Sequence, residues 1–256
     1  MDLNKIIQHE NEHWSKIFNE ELKKDFKDFS SYWWKDYYKN IIEYFDNYIS
    51  KNNYKNLLEA GSGSGKASIL LNKNLQKNLL DISDVALTYS KYLSKKFNEN
   101  NISYTQGDIF SMPFKSKTFN FVWNIGVLEH YNKLEVRNIM SEMIRVTSEN
   151  GTVVIAVPNL YSGPIIKAKI LSHALLKFIP GYRLDTELFY KEKDIRFLFL
   201  KAANENKRVV EKFTLEYFGN PLPMETPRVI LKTVGKLIYY IFLKNRFIKF
   251  FIFKLK

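Results

Sequence analysis

The segment Leu57-Leu58-Glu59-Ala60-Gly61-Ser62-Gly63-Ser64-Gly65 restricts the fold of this chain more than any other: a short apolar run ends in a carboxylate and passes at once into alternating glycines. A buried strand with such an end presents one negative charge and bare backbone to a polar, nucleoside-like ligand, because glycine adopts φ > 0 and places no Cβ between main chain and ligand. A P-loop would need Gly at position 60 and Ser or Thr directly after Gly65-Lys66, where this chain has Ala60 and Ala67. The dinucleotide fingerprint puts its third glycine three residues after the second, whereas Gly63 is followed by Gly65, Lys66, Ala67 and Ser68. A nicotinamide or flavin enzyme is the less favoured reading, and a surface glycine loop is the plainest one.

Downstream residues narrow the choice. Ile69, Leu70 and Leu71 continue into an apolar-faced helix, and Gln76 to Leu80 read as a second strand closed by Asp81, ahead of the helix-start residues Ser83 and Asp84. A carboxylate about twenty residues beyond the glycines of an αβ unit sits where ribose hydroxyls arrive. Ile102 to Thr105 reads as a third strand, followed by Gly107-Asp108-Ile109 and Pro113-Phe114. Phe119-Asn120-Phe121-Val122-Trp123-Asn124 alternates toward a fourth strand and runs into Ile125-Gly126-Val127-Leu128-Glu129-His130; Asn150-Gly151-Thr152 precedes a fifth. Strands alternating with helical patterns predict a mostly parallel, Rossmann-like α/β sheet covered by helices on both faces.

In its order of motifs, from about Asn56 to Asn159, the chain resembles the class I S-adenosylmethionine-dependent methyltransferases, of the small-molecule type with a Val-Leu-Glu-His segment. The resemblance implies S-adenosylmethionine as cofactor. It implies contacts from Glu59 and the backbone of Gly61, Gly63 and Gly65 to its methionine part, from Asp81 with Ile82 to its ribose, and from Asp108 with Ile109 to its adenine. It sets Asn124 at the mouth after the fourth strand, bordering the donor methyl. Asn120 departs from the family, where many relatives carry Asp, and is expected to face solvent or a neighbouring loop. Some quinone O-methyltransferases of the family use further acidic residues beside the Glu-His pair; here the only carboxylate near Gly126-Val127 is Glu129, so no metal site is expected.

For transfer to a hydroxyl, His130 is the candidate base and Glu129 its orienter or alternate; a histidine that only caps the helix after the fourth strand is the competing reading. Trp123 and Tyr131 could offer a π face to a sulfonium, with core packing the commoner fate of Trp123. The acceptor expected is small and apolar, a lipid or lipid-linked sugar. An RNA or other nucleic-acid methyltransferase using a basic tail is the alternative, although Asn124-Ile125-Gly126-Val127 lacks the Asp-Pro-Pro-Tyr type of motif that serves a flipped base. A cofactor-binding protein without turnover is the third reading.

Composition bears on location and partners. The chain has 256 residues, no cysteine and a net charge of +12. The absence of cysteine fits a reducing, cytoplasmic setting. The first residues contain no apolar run of signal-peptide length, and secretion is not expected. After Glu225 no acidic residue occurs, while Arg228, Lys232, Lys236, Lys244, Arg246, Lys249, Lys254 and Lys256 are interleaved with Ile, Leu, Val, Tyr and Phe. Lysines break this tail too often for a spanning helix. At about 100° per residue Arg228, Lys232, Lys236, Arg246 and Lys254 share one quadrant, which predicts a basic amphipathic helix lying peripherally on an anionic membrane, or packing on its own domain or on a second copy in a homodimer.

The expected organisation is a helical cap over 1–53, a methyltransferase domain over 54–218 with a helical insertion over about 161–190, and a basic apolar extension over 219–256. The aromatic stripe of the cap, including Trp14, Phe18, Trp33, Trp34, Tyr37 and Tyr38, is expected mainly to pack in the core, with some members lining an acceptor pocket.

Overall fold

The computed structural model describes residues 11–20, 31–173, 183–184 and 187–256. Seven strands form one sheet in the order β3-β2-β1-β4-β5-β7-β6. They are β1 (Asn56–Ala60), β2 (Gln76–Asp81), β3 (Ile102–Gln106), β4 (Phe119–Ile125), β5 (Thr147–Pro158), β6 (Val210–Phe218) and β7 (Ile248–Leu255). The pairs from β3 to β5 are parallel, and β7 runs antiparallel to both β5 and β6. Because the chain reverses its strand order between β1 and β4, a crevice opens at the carboxyl ends of these strands.

Helical residues 11–20 (α1) and α2 (Tyr32–Lys51) precede the sheet; α3 (Lys66–Leu70), α4 (Asp84–Lys96), α5 (Lys133–Val146), α6 (Gly163–Leu171), α7 (Glu192–Glu205), α8 (Arg228–Lys232) and α9 (Val234–Ile241) follow. Asn132 caps α5 through a reciprocal box with Glu135, and Ser83 caps α4, each satisfying amides that a helix start leaves open. Helix α2 buries Trp33, Tyr37, Ile41, Phe45 and Ile49, a four-residue spacing that keeps one stripe against the sheet. This stripe meets Phe121, Trp123 and Phe250 in one core cluster. The other face of the sheet packs on α5 and α7.

Beyond residue 227 the structure departs from the single amphipathic helix expected there. Helix is confined to α8, α9 and a 3₁₀ turn at Leu243–Asn245, and Ile248–Leu255 is a strand wedged between β5 and β6, so the end of the tail is part of the sheet. A short, continuous Ile/Phe run is what a strand covered on both faces requires, and helical periodicity cannot distinguish it from a buried helix. Its cations are used internally. Lys249 donates to Tyr190 O, Lys254 to Asn52 Oδ1, and Arg246 stacks 3.6 Å from the Tyr239 ring while donating to Tyr217 O.

Within the expected insertion, α6 is helical, residues 187–190 are not, and 174–182, 185 and 186 lie outside the described residues. Asn120, expected at solvent or a loop, accepts from the backbone amides of Lys55 and Asn56 and fixes the entry to β1. Among the described residues no helix is long and apolar enough to cross a membrane.

Candidate functional site

The glycine turn is held from two strands. Gly61 N and Ser62 N both donate to Leu80 O at 2.9 Å, and Gly63 N donates to Asp81 Oδ2 at 2.7 Å. Gly63 has φ +51 with the Phe18 ring 3.0 Å from where a Cβ would stand, and Gly65 has φ +61 with Leu79 Cδ1 at 2.4 Å. A side chain at either position would be strained by the positive φ and would have to displace the neighbouring ring or methyl. The turn floors a cavity of about 220 Å³, roofed by Trp14 and Phe18 of α1 and walled by Asp81, Ile82, Asp108, Ile109, Ile125, Gly126, Val127 and Tyr131.

Six of the cofactor residues expected from the sequence, Gly61, Gly63, Asp81, Ile82, Asp108 and Ile109, thus meet at one cleft. Asp81 Oδ1 also accepts from Ser83 N at 2.9 Å, so each carboxylate oxygen is aimed by one backbone amide and keeps a lone pair for a hydroxyl. Asp108 accepts from Phe110 N, which fixes its loop; burial raises the carboxyl above its ordinary value.

Three expected residues stand behind the wall. Asn124 is fully buried, donates through Nδ2 to Ala60 O and supports the Gly61 turn from below, so its successors Ile125 and Gly126 form the surface it was expected to form. Gly65 starts α3. Glu59 is buried with Oε2 unpartnered, and burial pushes its carboxyl up to about 8 against the opposing hydrogen bonds of Ser68. Trp123 is core, donating to Ser68 Oγ.

A second cavity of about 470 Å³ shares Trp14, Ile125 and Gly126 with the first. Trp34, Tyr37, Tyr38, Met224 and Phe247 are among its apolar lining, and Glu129, His130, Glu187, Arg183 and His13 supply polar groups. Glu129 and His130 lie on a one-turn 3₁₀ helix, Leu128–His130, directly after β4. His130 packs edge-on to Trp14 with ring centroids 5.2 Å apart. Glu129 Oε2 is buried without a partner, and burial, with Glu187 nearby, pushes the carboxyl up to about 8. Trp14 and Phe18 belong to the aromatic stripe of the expected cap, whereas the presence of Arg183 and Glu187 at this junction escaped the sequence reading.

A neutral carboxyl favoured by the fold has a thermodynamic signature. Glu59 and Glu129 both rise from 4.5 to about 8, so between these values the folded chain holds more protons than the unfolded one, and stability falls as pH rises through the window. Thermal melts across that range are expected to show a shallower decline for Glu129→Gln than for the parent chain.

The sheet order and the acid-lined glycine cleft at its switch point define a nucleoside-cofactor-binding α/β enzyme. Residues 58–155 match the family model of the methyltransferase domain. The fold is shared with magnesium protoporphyrin IX methyltransferase from Synechocystis PCC 6803, solved with bound S-adenosylhomocysteine (TM-score 0.61, 13% identity, 97% of this chain and 98% of that one). It is shared equally with a S-adenosylmethionine-dependent methyltransferase from Thermotoga maritima (0.61, 12%, 95% and 99%) and with a protein from Pyrococcus horikoshii OT3 (0.60, 18%, 90% and 94%). No curated protein sequence matches the chain. Residues 58–155 carry a methyltransferase domain, and S-adenosylmethionine is its cofactor.

The residues present fit that cofactor. The bare backbone of Gly61 and Gly63 leaves no Cβ in the cleft, and each Asp81 carboxylate oxygen keeps acceptor capacity for a ribose hydroxyl.

Proposed function

We propose that this enzyme methylates a small acceptor with an apolar, lipid-like body, seated in the aromatic cavity beside the cofactor cleft. The observation that carries the reading is that the two cavities adjoin, with Trp14, Ile125 and Gly126 lining both. When bound, the cofactor supplies an already activated methyl group, so the chain has mainly to align the acceptor and exclude water. Trp34, Tyr37, Tyr38 and Phe247 grip an apolar body, and Trp14 closes the junction from above. Glu129 sits where the attacking atom would arrive and takes its proton at Oε2, with His130 beside it as alternate base.

The nucleic-acid alternative has less support. Three of the cations that made the tail look like a phosphate clamp, Arg246, Lys249 and Lys254, are engaged inside the protein. Incubation of cell extract with the enzyme and isotopically labelled donor tests the reading. Label is expected in small molecules that partition into organic solvent; label confined to RNA or protein would refute it. With the acceptor in hand, log kcat/KM is expected to climb toward a plateau through about pH 8, and Glu129→Gln to lower that plateau about 100-fold and flatten the limb. If His130→Ala produced that change and Glu129→Gln did not, the proton would go to the histidine.

A further inference from the structure

Helices α8 and α9 form a ridge that nothing covers among the described residues. Leu231 anchors it in the core cluster shared with α2. Val229, Val234, Leu237 and Ile241 are 74%, 57%, 61% and 61% exposed, far beyond what an apolar residue of a packed helix shows. Val234, Leu237 and Ile241 recur at helical spacing, one face of α9, and Phe242 and Leu243 extend the face past its end. Arg228, Lys232, Lys236 and Lys244 are exposed along the same segment, which contains no carboxylate from residue 226 to 256. Unlike Lys249 and Lys254 of β7, these four are solvent-exposed.

Behind the ridge, between it and α2, lies a pocket of about 330 Å³. Lys232 and Lys236 stand on one side, and Tyr32, Asn40, Asn220 and Tyr239 supply further polar atoms. Its single carboxylate, Asp36, is offset by Lys39 and Arg246, which both act on it electrostatically. Lys232 Nζ lies 5.6 Å from the Tyr32 ring centroid, so its head is directed inward.

We propose that this face docks on an anionic lipid leaflet: the apolar side chains of the ridge enter the headgroup and acyl boundary, and Lys232 and Lys236 hold a headgroup phosphate in the pocket behind. Exposed apolar side chains framed by cations, without a carboxylate among them, match a surface that is apolar within and negative at its rim. The placement also has a use, because Met224 and Phe247, on either side of the α8–α9 segment, line the acceptor cavity. The docking surface stands whichever acceptor the enzyme takes.

Flotation of the full chain with vesicles of phosphatidylcholine alone, and of phosphatidylcholine with phosphatidylglycerol, tests the proposal. The chain is expected to float with the mixed vesicles and stay down with the neutral ones. Leu237→Asp with Ile241→Asp is expected to abolish recovery, and Lys232→Glu with Lys236→Glu to lower partitioning about tenfold or more. Both variants should keep the parent's affinity for S-adenosylhomocysteine, which establishes that they fold. Equal recovery on both vesicle types would overturn the proposal. So would an unmodified chain that binds neither but dimerises through the ridge by light scattering, or one that binds RNA through the same two lysines.

Discussion

Asp81→Ala is expected to weaken S-adenosylhomocysteine binding about 1,000-fold, read by isothermal titration calorimetry. The carboxylate has two duties at once. It accepts from Gly63 N and Ser83 N, fixing the glycine turn and the start of α4, and it faces the cleft where ribose hydroxyls would arrive. Hydrogen bonds to a charged group contribute roughly 1.5–3 kcal/mol each, and about 4 kcal/mol in total corresponds to the stated loss. Asp81→Asn separates the duties, since the amide oxygen can still accept from one backbone amide while the charge is gone. Its affinity is expected between those of the parent and Asp81→Ala. An Asp81→Ala chain that binds as tightly as the parent would remove the ribose assignment and leave Asp81 a loop-ordering residue only.

Lys77→Met is expected to destabilise the protein by about 3–5 kcal/mol in chemical denaturation. Lys77 lies on β2 with its ammonium buried, 2.8 Å from Glu99 Oε2 and 2.8 Å from Leu71 O. Burial lowers the Lys77 pKa against the opposing pull of Glu99. Removing the lysine leaves Glu99 buried, its other oxygen accepting from Asn101 N, with an uncompensated charge. The pair itself need not be a large net stabiliser, because desolvating both ions offsets much of their attraction. The double variant Lys77→Met with Glu99→Leu is accordingly expected to lie closer to the parent than Lys77→Met does. A single variant within about 1 kcal/mol of the parent would show that water reaches Glu99 from the end of α4.

The first half of the sheet was legible in the sequence because its signals are local. The apolar run before Glu59, the glycines, and the Leu79-Leu80-Asp81 ending each declare a strand and its carboxyl end within a few residues. Asp81 and Asp108, which follow neighbouring parallel strands, then had to meet at one cleft, since a parallel sheet brings those ends together.

What was hidden depends on contacts between distant segments. Nothing in the sequence says that Tyr38 and Phe247 face one cavity, or that Arg183 and Glu187 join them there. The orientation of Asn124 was missed for a subtler reason. Side chains alternate along β4, and whether Asn124 or its neighbour Ile125 faces the cleft is decided by the register with β1 and β5. In the tail, counting charges misled because Lys249 and Lys254 reach past the edges of buried faces to find partners.

The place of β7 has a bearing on how the protein is made. It follows β6 in the chain yet lies between β5 and β6, and β6 has no other neighbour in the sheet. On a ribosome, β6 emerges first and must wait, its paired edge exposed, until some thirty residues more have been added, a delay of seconds at roughly 5–20 residues per second. Synthesis thus passes through an interval in which the nucleoside cleft can already close around β1 to β4 while the Phe247 side of the acceptor cavity does not yet exist. A chaperone that shelters aromatic strands would find its substrate in that interval.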